Sequence, residues 1–199
     1  GWMDMWGKEY PTQKDGWEGA LTIPRELFLK NNKVYSRPVH ELENLRSNPV
    51  SHDEFVVNKN ISGYLGNVKG DSLEIEANFD INPVDCKQFG FKLRYSEEKN
   101  EKTVIYYDFE KQQVVFDKRF SGLGSVSKKI VSLPLKCNKI NFHIFVDKSS
   151  VEVFINDGEL VMSNRIYPDT ESINYDLFTT GGPVKVKDLK AWTLNSIWD

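Results

Sequence analysis

The chain has 199 residues, 39% hydrophobic and 28% charged, with a formal net charge of -3 at pH 7. That length holds one good-sized core, or one domain plus part of another, and the interspersed charge excludes the basic stripe of a nucleic-acid binder. No apolar run approaches the roughly 20 residues that cross a bilayer, and no signal-peptide pattern opens the chain, so a soluble cytoplasmic protein without a membrane partner is expected.

Gly1-Trp2-Met3-Asp4-Met5-Trp6 begins at once with large apolar residues, unlike the polar, loosely held ends of most domains. It reads as a segment from the middle of a structure. Gly16 and Gly19 supply turns, and Leu21, Ile23, Leu27 and Leu29 form a strand-like run. Pro24 within that run argues for an edge or irregular strand. Lys30 to Lys33 is a turn, and Val34 to Val39 is the returning strand. A lone hairpin of this size does not hold itself together in water.

Leu42 and Leu45, three apart among charged residues, suit one or two helical turns, which Asn48-Pro49 ends. The spacing predicts three parts: residues 1–40 with the hairpin, a short helical linker over 41–49, and strand and turn throughout 50–199. Along Ser72 to Phe79, the residues Leu73, Ile75, Ala77 and Phe79 alternate with polar ones, giving a strand with one wet face. Ile81 to Asp85 turns the chain. Phe89, Phe91, Leu93 and Tyr95 then alternate with Gly90, Lys92 and Arg94. Thr103 to Phe109 and Gln112 to Asp117 make a hairpin, and Ser121 to Lys129 is the most loop-like stretch.

Phe142 to Met162 carries the cleanest pattern, three strands joined by tight turns. A turn at Asp147 to Ser150 sets Val146 opposite Val151, Ile144 opposite Val153 and Phe142 opposite Ile155, all on one face. The other face carries Phe145 opposite Glu152 and His143 opposite Phe154. Asp157-Gly158 supplies the second turn, because Gly accepts positive φ, and sets Ile155 against Leu160. Strands recurring about every ten residues without helices indicate an all-β fold, a two-sheet antiparallel sandwich.

The stretch from Asp147 to Glu159, DKSSVEVFINDGE, resembles the signature hairpin of the C-terminal β-sandwich of family 32 glycoside hydrolases, the invertase, levanase and sucrose-6-phosphate hydrolase group. Asp147, Ser150, Glu152, Phe154, Asn156 and Gly158 carry that structural signature. GWMDMW, Pro11-Thr12, GWEGALTIPREL and SRPVHELENLR are similar to the last propeller blade of the same family. The resemblance implies a blade remnant over 1–40, a sandwich over 50–199, and an N-terminal propeller as partner. It further implies a parent activity on terminal β-fructosyl bonds in sucrose, sucrose 6-phosphate or fructans, in the bacterial cytoplasmic branch.

Retaining hydrolysis of such a bond needs a carboxylate nucleophile and a carboxylic acid about 5–5.5 Å apart. The family supplies these from an Asn-Asp-Pro, an Arg-Asp-Pro and a Glu-Cys motif, and none occurs here: Cys86 follows Asp85 and Cys137 follows Lys136. With no CxxC and three scattered histidines, neither a metal, a disulfide framework nor a cofactor is expected. No catalytic residue is assigned. Trp6, with Trp2 and Trp17 behind it, is the expected sugar-stacking group in the parent enzyme. The expected role is a brace for the propeller or a subunit interface. The alternative is a fructan-binding sandwich, which needs exposed aromatics grouped on one sheet, with Phe145, Phe154, Tyr106 and Trp192 as the residues to watch. Bracing also predicts an exposed apolar patch and a tendency to self-associate.

Overall fold

The computed structural model describes residues 1–59, 61–81 and 86–198. Among the described residues, fourteen strands run in chain order: β1 (Arg25–Lys30), β2 (Lys33–Pro38), β3 (Arg46–His52), β4 (Phe55–Val57), β5 (Leu73–Asp80), β6 (Cys86–Ser96) and β7 (Glu101–Asp108), then β8 (Gln113–Phe120), β9 (Lys128–Ser132), β10 (Lys139–Asp147), β11 (Ser150–Ile155), β12 (Leu160–Arg165), β13 (Asn174–Gly181) and β14 (Val184–Leu194). A seven-stranded sheet has the order β12-β11-β10-β5-β14-β3, with β4 also on β14, and a five-stranded sheet has the order β13-β6-β7-β8-β9. Every ladder is antiparallel, and β1-β2 stands apart as a two-stranded ribbon. The architecture is the antiparallel sandwich that the strand spacing implies. No helix among the described residues is long and apolar enough to cross a membrane.

The meander has the register its alternation predicts, with Phe142 opposite Ile155, Ile144 opposite Val153 and Ile155 opposite Leu160. Its apolar face meets the second sheet. Phe79 on β5 and Phe142 on β10 pack against Phe89 and Phe91 on β6, with ring centroids 4.9 to 6.5 Å apart and mostly edge-on. Edge-on contact sets the positive rim of one ring against the negative face of another, which adds to the burial of apolar area.

Two local expectations give way here. The helical linker is a 3-10 helix over His40–Leu45, and β3 starts at Arg46, running through Asn48-Pro49 with Asn48 at φ 47. A single 3-10 turn between two strands is enough to redirect the chain, and β14 captures residues 46–52 as an edge strand on which a proline costs no ladder bond. Arg94, placed on the wet face by alternation, is buried because φ 47 and a register shift after Leu93 invert its side. Its guanidinium donates to the carbonyls of Ser172 (2.7 Å) and Asp169 (3.3 Å). The predicted turn at Ile81 to Asp85 lies, past Ile81, outside the described residues.

The face of β5 expected to be wet is half covered. Glu74 is buried, bonded by Arg46 Nε (2.8 Å) and Nη2 (2.6 Å) and by His143 Nε2 (2.6 Å), and Arg46 lies 4.0 Å from the Trp192 ring centroid. Burial would raise the Glu74 carboxyl, but its bonds to Arg46 and His143 outweigh burial and hold it below its ordinary value of 4.5. A depressed folded-state value means the contribution is intact above pH 4.5 and is lost as pH falls through the folded value. The difference in thermal midpoint between the wild-type chain and Glu74→Gln is therefore expected to be largest near neutral pH and to close in acid. A gap that stays constant down to pH 3 contradicts this.

Candidate functional site

Residues 1–38 lie on the outer face of the seven-stranded sheet, and three contacts fix them there. Glu152, on β11, is buried among Phe145 and Phe154 of the same sheet face. Its Oε1 accepts from the backbone N–H of Ile23 at 2.7 Å, and its Oε2 is bound by Arg25 and by Ser163 Oγ at 3.2 Å. The Arg25 guanidinium also sits 5.0 Å from the Phe154 ring centroid. The mixed face of the meander is thus covered by the N-terminal segment of this same chain. Glu152 and Arg25 form an ion pair within the chain.

At the end of β12, Arg165 Nη1 donates to both oxygens of Asp4, at 3.0 and 2.9 Å, with side chains only 3% and 0% exposed. Its Nε donates to the Ser149 carbonyl at 3.1 Å, and the Trp17 and Tyr167 rings lie 5.1 and 5.3 Å away. The third contact is backbone against backbone. Ser36 N–H donates to the Gly158 carbonyl at 3.1 Å, and a Cβ on Gly158, at φ +86, would stand 1.9 Å from the Ser36 carbonyl oxygen. Gly158→Ala is expected to cost about 1–3 kcal/mol through this overpacking and to make residues 1–38 more susceptible to limited proteolysis. Unchanged cleavage contradicts that contact.

The ribbon turns two different faces to its surroundings. Phe28 and Tyr35 pack together at 5.4 Å on the side where Tyr35 is buried. Leu27, Leu29 and Val34, on the opposite side, are 68%, 77% and 64% exposed. A cleft of about 430 Å³ between ribbon and sheet includes Glu26, Arg37, Glu43, His143 and Phe154 in its wall. Both glutamates there are engaged, Glu26 by Arg37 at 2.8 Å and Glu43 by Arg46 at 3.3 Å.

Residues 41–193 match the family described as Glycosyl hydrolases family 32 C terminal, and residues 1–38 match the Glycosyl hydrolases family 32 N-terminal domain. The chain belongs to glycosyl hydrolase family 32. It is 36% identical over 198 residues to the sucrose-6-phosphate hydrolase of Zymomonas mobilis, covering 97% of this chain and 38% of that protein. It is 34% identical over 208 residues to the levanase of Bacillus subtilis, covering all of this chain and 30% of the levanase. The chain thus spans less than two-fifths of either relative. The sucrose-6-phosphate hydrolase structure from Lactobacillus gasseri shares the fold, with a TM-score of 0.76 at 22% identity over 98% of this chain and 37% of that one.

Within this family 32 chain, the six residues that the hairpin resemblance singles out make different contacts. Asp147 and Asn156 serve turns: Asp147 Oδ1 accepts from Ser72 Oγ (3.1 Å) and from Lys148 N–H (2.7 Å), and Asn156, at φ 51, accepts from Asn141 N–H at 3.1 Å. Ser150 closes the hairpin opposite Asp147 and pairs with Arg165. Glu152, Phe154 and Gly158 meet the N-terminal segment. Trp2 and Trp6 come together at 4.8 Å, edge to face, with 44% and 84% of their surfaces exposed, while Trp17 lies with Arg165.

Sequence reading missed Asp4, Arg25 and Arg165. Its one available signal was a carboxylate standing alone among Trp2, Met3, Met5 and Trp6. Glu74, Glu76 and His143 come within metal-ligand range of one another, but Arg46 Nη2 bonds both carboxylates, at 2.6 and 2.8 Å, and its positive charge opposes a cation there. Cys86 is buried, Cys137 is exposed, and both are free thiols.

Proposed function

We propose that this chain is the non-catalytic C-terminal part of a β-fructosidase, acting as a brace that holds the last blade of an N-terminal catalytic propeller against the sandwich. The observation that carries the reading is the buried Glu152 carboxylate, which binds the Ile23 amide and Arg25 from the blade segment and so welds two matched family regions together. The aliphatic face of Leu27, Leu29 and Val34 supports it, because a two-stranded ribbon with such a face needs further strands or a partner to cover it. The remainder of the propeller is that partner, and self-association through the same face is the expected behaviour without it.

The parent substrate class is a terminal β-fructosyl unit in sucrose, sucrose 6-phosphate or a fructan, in keeping with the named relatives. A bacterial cytoplasmic setting goes with the hydrolase branch. Trp6 stacks on the sugar ring, with Trp2 and Trp17 behind it, a role supported by the exposure of Trp6 and its contact with Trp2. The binding-module alternative has less support. Phe145 and Phe154 are buried under the blade segment, while Tyr106 and Trp192 lie on different sheets beneath Lys128 and Arg46.

The test is fructose release by the purified chain from sucrose, sucrose 6-phosphate and a short fructan. None is expected. Release that persists through repeated purification overturns the non-catalytic assignment.

A further inference from the structure

Asp4 and its neighbours point opposite ways. The Asp4 carboxylate is wholly buried against the sandwich, while Trp2 and Trp6 on either side of it face outward. Backbone bonds hold the surrounding loop: Met3 N–H donates to the Ala20 carbonyl at 2.9 Å, and Met5 N–H donates to Tyr10 Oη at 2.7 Å. Among the described residues, Asp4 is the one side chain of residues 1–7 that hydrogen-bonds to the sandwich, and its partner there is Arg165.

Arg165 is itself immobilised. Its Nε is bonded to the Ser149 carbonyl, its Nη2 to Ser149 Oγ at 3.3 Å, and the Trp17 and Tyr167 rings lie beside the guanidinium. It also sits at the end of β12, where β11 fixes its backbone through the Ser150–Arg165 register. A side chain locked in this way transmits its own position to whatever it binds. Here that is the residue between two exposed indoles 4.8 Å apart.

We infer that Arg165 is a positioning residue for the Trp2–Trp6 pair: through Asp4, the sandwich sets where the N-terminal loop presents its aromatic faces to a sugar ring. The inference rests on the reading above that these tryptophans stack on the fructosyl substrate. Removing the guanidinium leaves a buried, uncompensated carboxylate, which relaxes toward water and swings both indoles with it. Small displacements of a binding surface lower affinity and rate steeply, because the productive geometry tolerates little error. The sandwich therefore shapes the substrate site of the propeller without touching substrate.

Two readouts separate this from simple loss of stability. In the purified chain, the part of the near-ultraviolet circular dichroism that Trp6→Phe removes reports the edge-to-face indole pair, apart from Trp17 and Tyr167 beside Arg165. Arg165→Gln is expected to diminish that signal, Arg165→Lys to retain part of it, and Ile144→Val, a core change far from the loop, to lower the thermal midpoint and leave the signal intact. In the full-length enzyme carrying this chain, Arg165→Gln is expected to raise KM for sucrose about tenfold, with a smaller change in kcat, and Ile144→Val to leave KM unchanged. An indole signal unchanged in Arg165→Gln overturns the inference. So does an unchanged KM in an active enzyme. A wild-type full-length enzyme that releases no fructose overturns the underlying functional reading instead, and the indole signal still decides whether Arg165 positions the pair.

Discussion

Phe142→Ala is expected to remove about 3–5 kcal/mol of stability, the range for deleting a fully buried phenylalanine side chain. Phe142 is wholly buried where the two sheets meet, and its ring touches Phe79 from its own sheet and Phe89 and Phe91 from the other. Those neighbours stand on β5 and β6, whose backbones are fixed by ladders on both sides, so the site has little freedom to collapse into the space left. At about 2–4 °C per kcal/mol for a chain of this size, the thermal midpoint falls by roughly 6–20 °C. A midpoint within 2 °C or so of wild type contradicts a core centred on this aromatic cluster.

The second large effect is local. Glu152→Ala deprives the Ile23 amide of its acceptor and leaves the Arg25 guanidinium, in a side chain only 19% exposed, without a carboxylate. Breaking a buried pair from one side costs about 3–5 kcal/mol, because the remaining charge keeps its burial and loses its partner. Most of that cost falls on docking residues 1–38, since the sheets behind Glu152 keep their own core. Limited proteolysis is expected to cut between residues 20 and 40 early in the variant while the sandwich survives. Glu152→Gln, which still offers an oxygen to Ile23, falls between the two. Cleavage of the variant and the wild-type chain at the same rate contradicts the docking role.

What the sequence showed and what it hid follow from range. The meander was legible because alternation fixes which side chains share a face, and the turn at Asp157-Gly158 fixes which residues face each other. The order β10-β5-β14 was not, since strands joined by long connections carry no local mark of their neighbours. Arg94 defeated alternation because one residue at positive φ inverts the sides, and nothing in Leu93-Arg94-Tyr95 announces it. Glu74 looked solvated because its hydrogen-bonding partners, Arg46 and His143, come from other strands.

The site divides in the same way. Glu152 stood out as part of the hairpin that carries the family resemblance, and Trp2 and Trp6 stood out by composition. Their partners did not. Arg25 lies 127 residues from Glu152, and Asp4 lies 161 from Arg165, so only the folded chain brings these charges together.

Hydrogen exchange at the Ile23 amide shows whether Glu152 holds residues 1–38 on the sandwich. Protection approaching that of strand amides in the same sheet, such as Val153, and its loss in Glu152→Ala, is the predicted result. Exchange of Ile23 at the rate of a solvent-exposed turn amide in the wild-type chain, with Val153 still protected, would mean that Glu152 does not hold the segment in place.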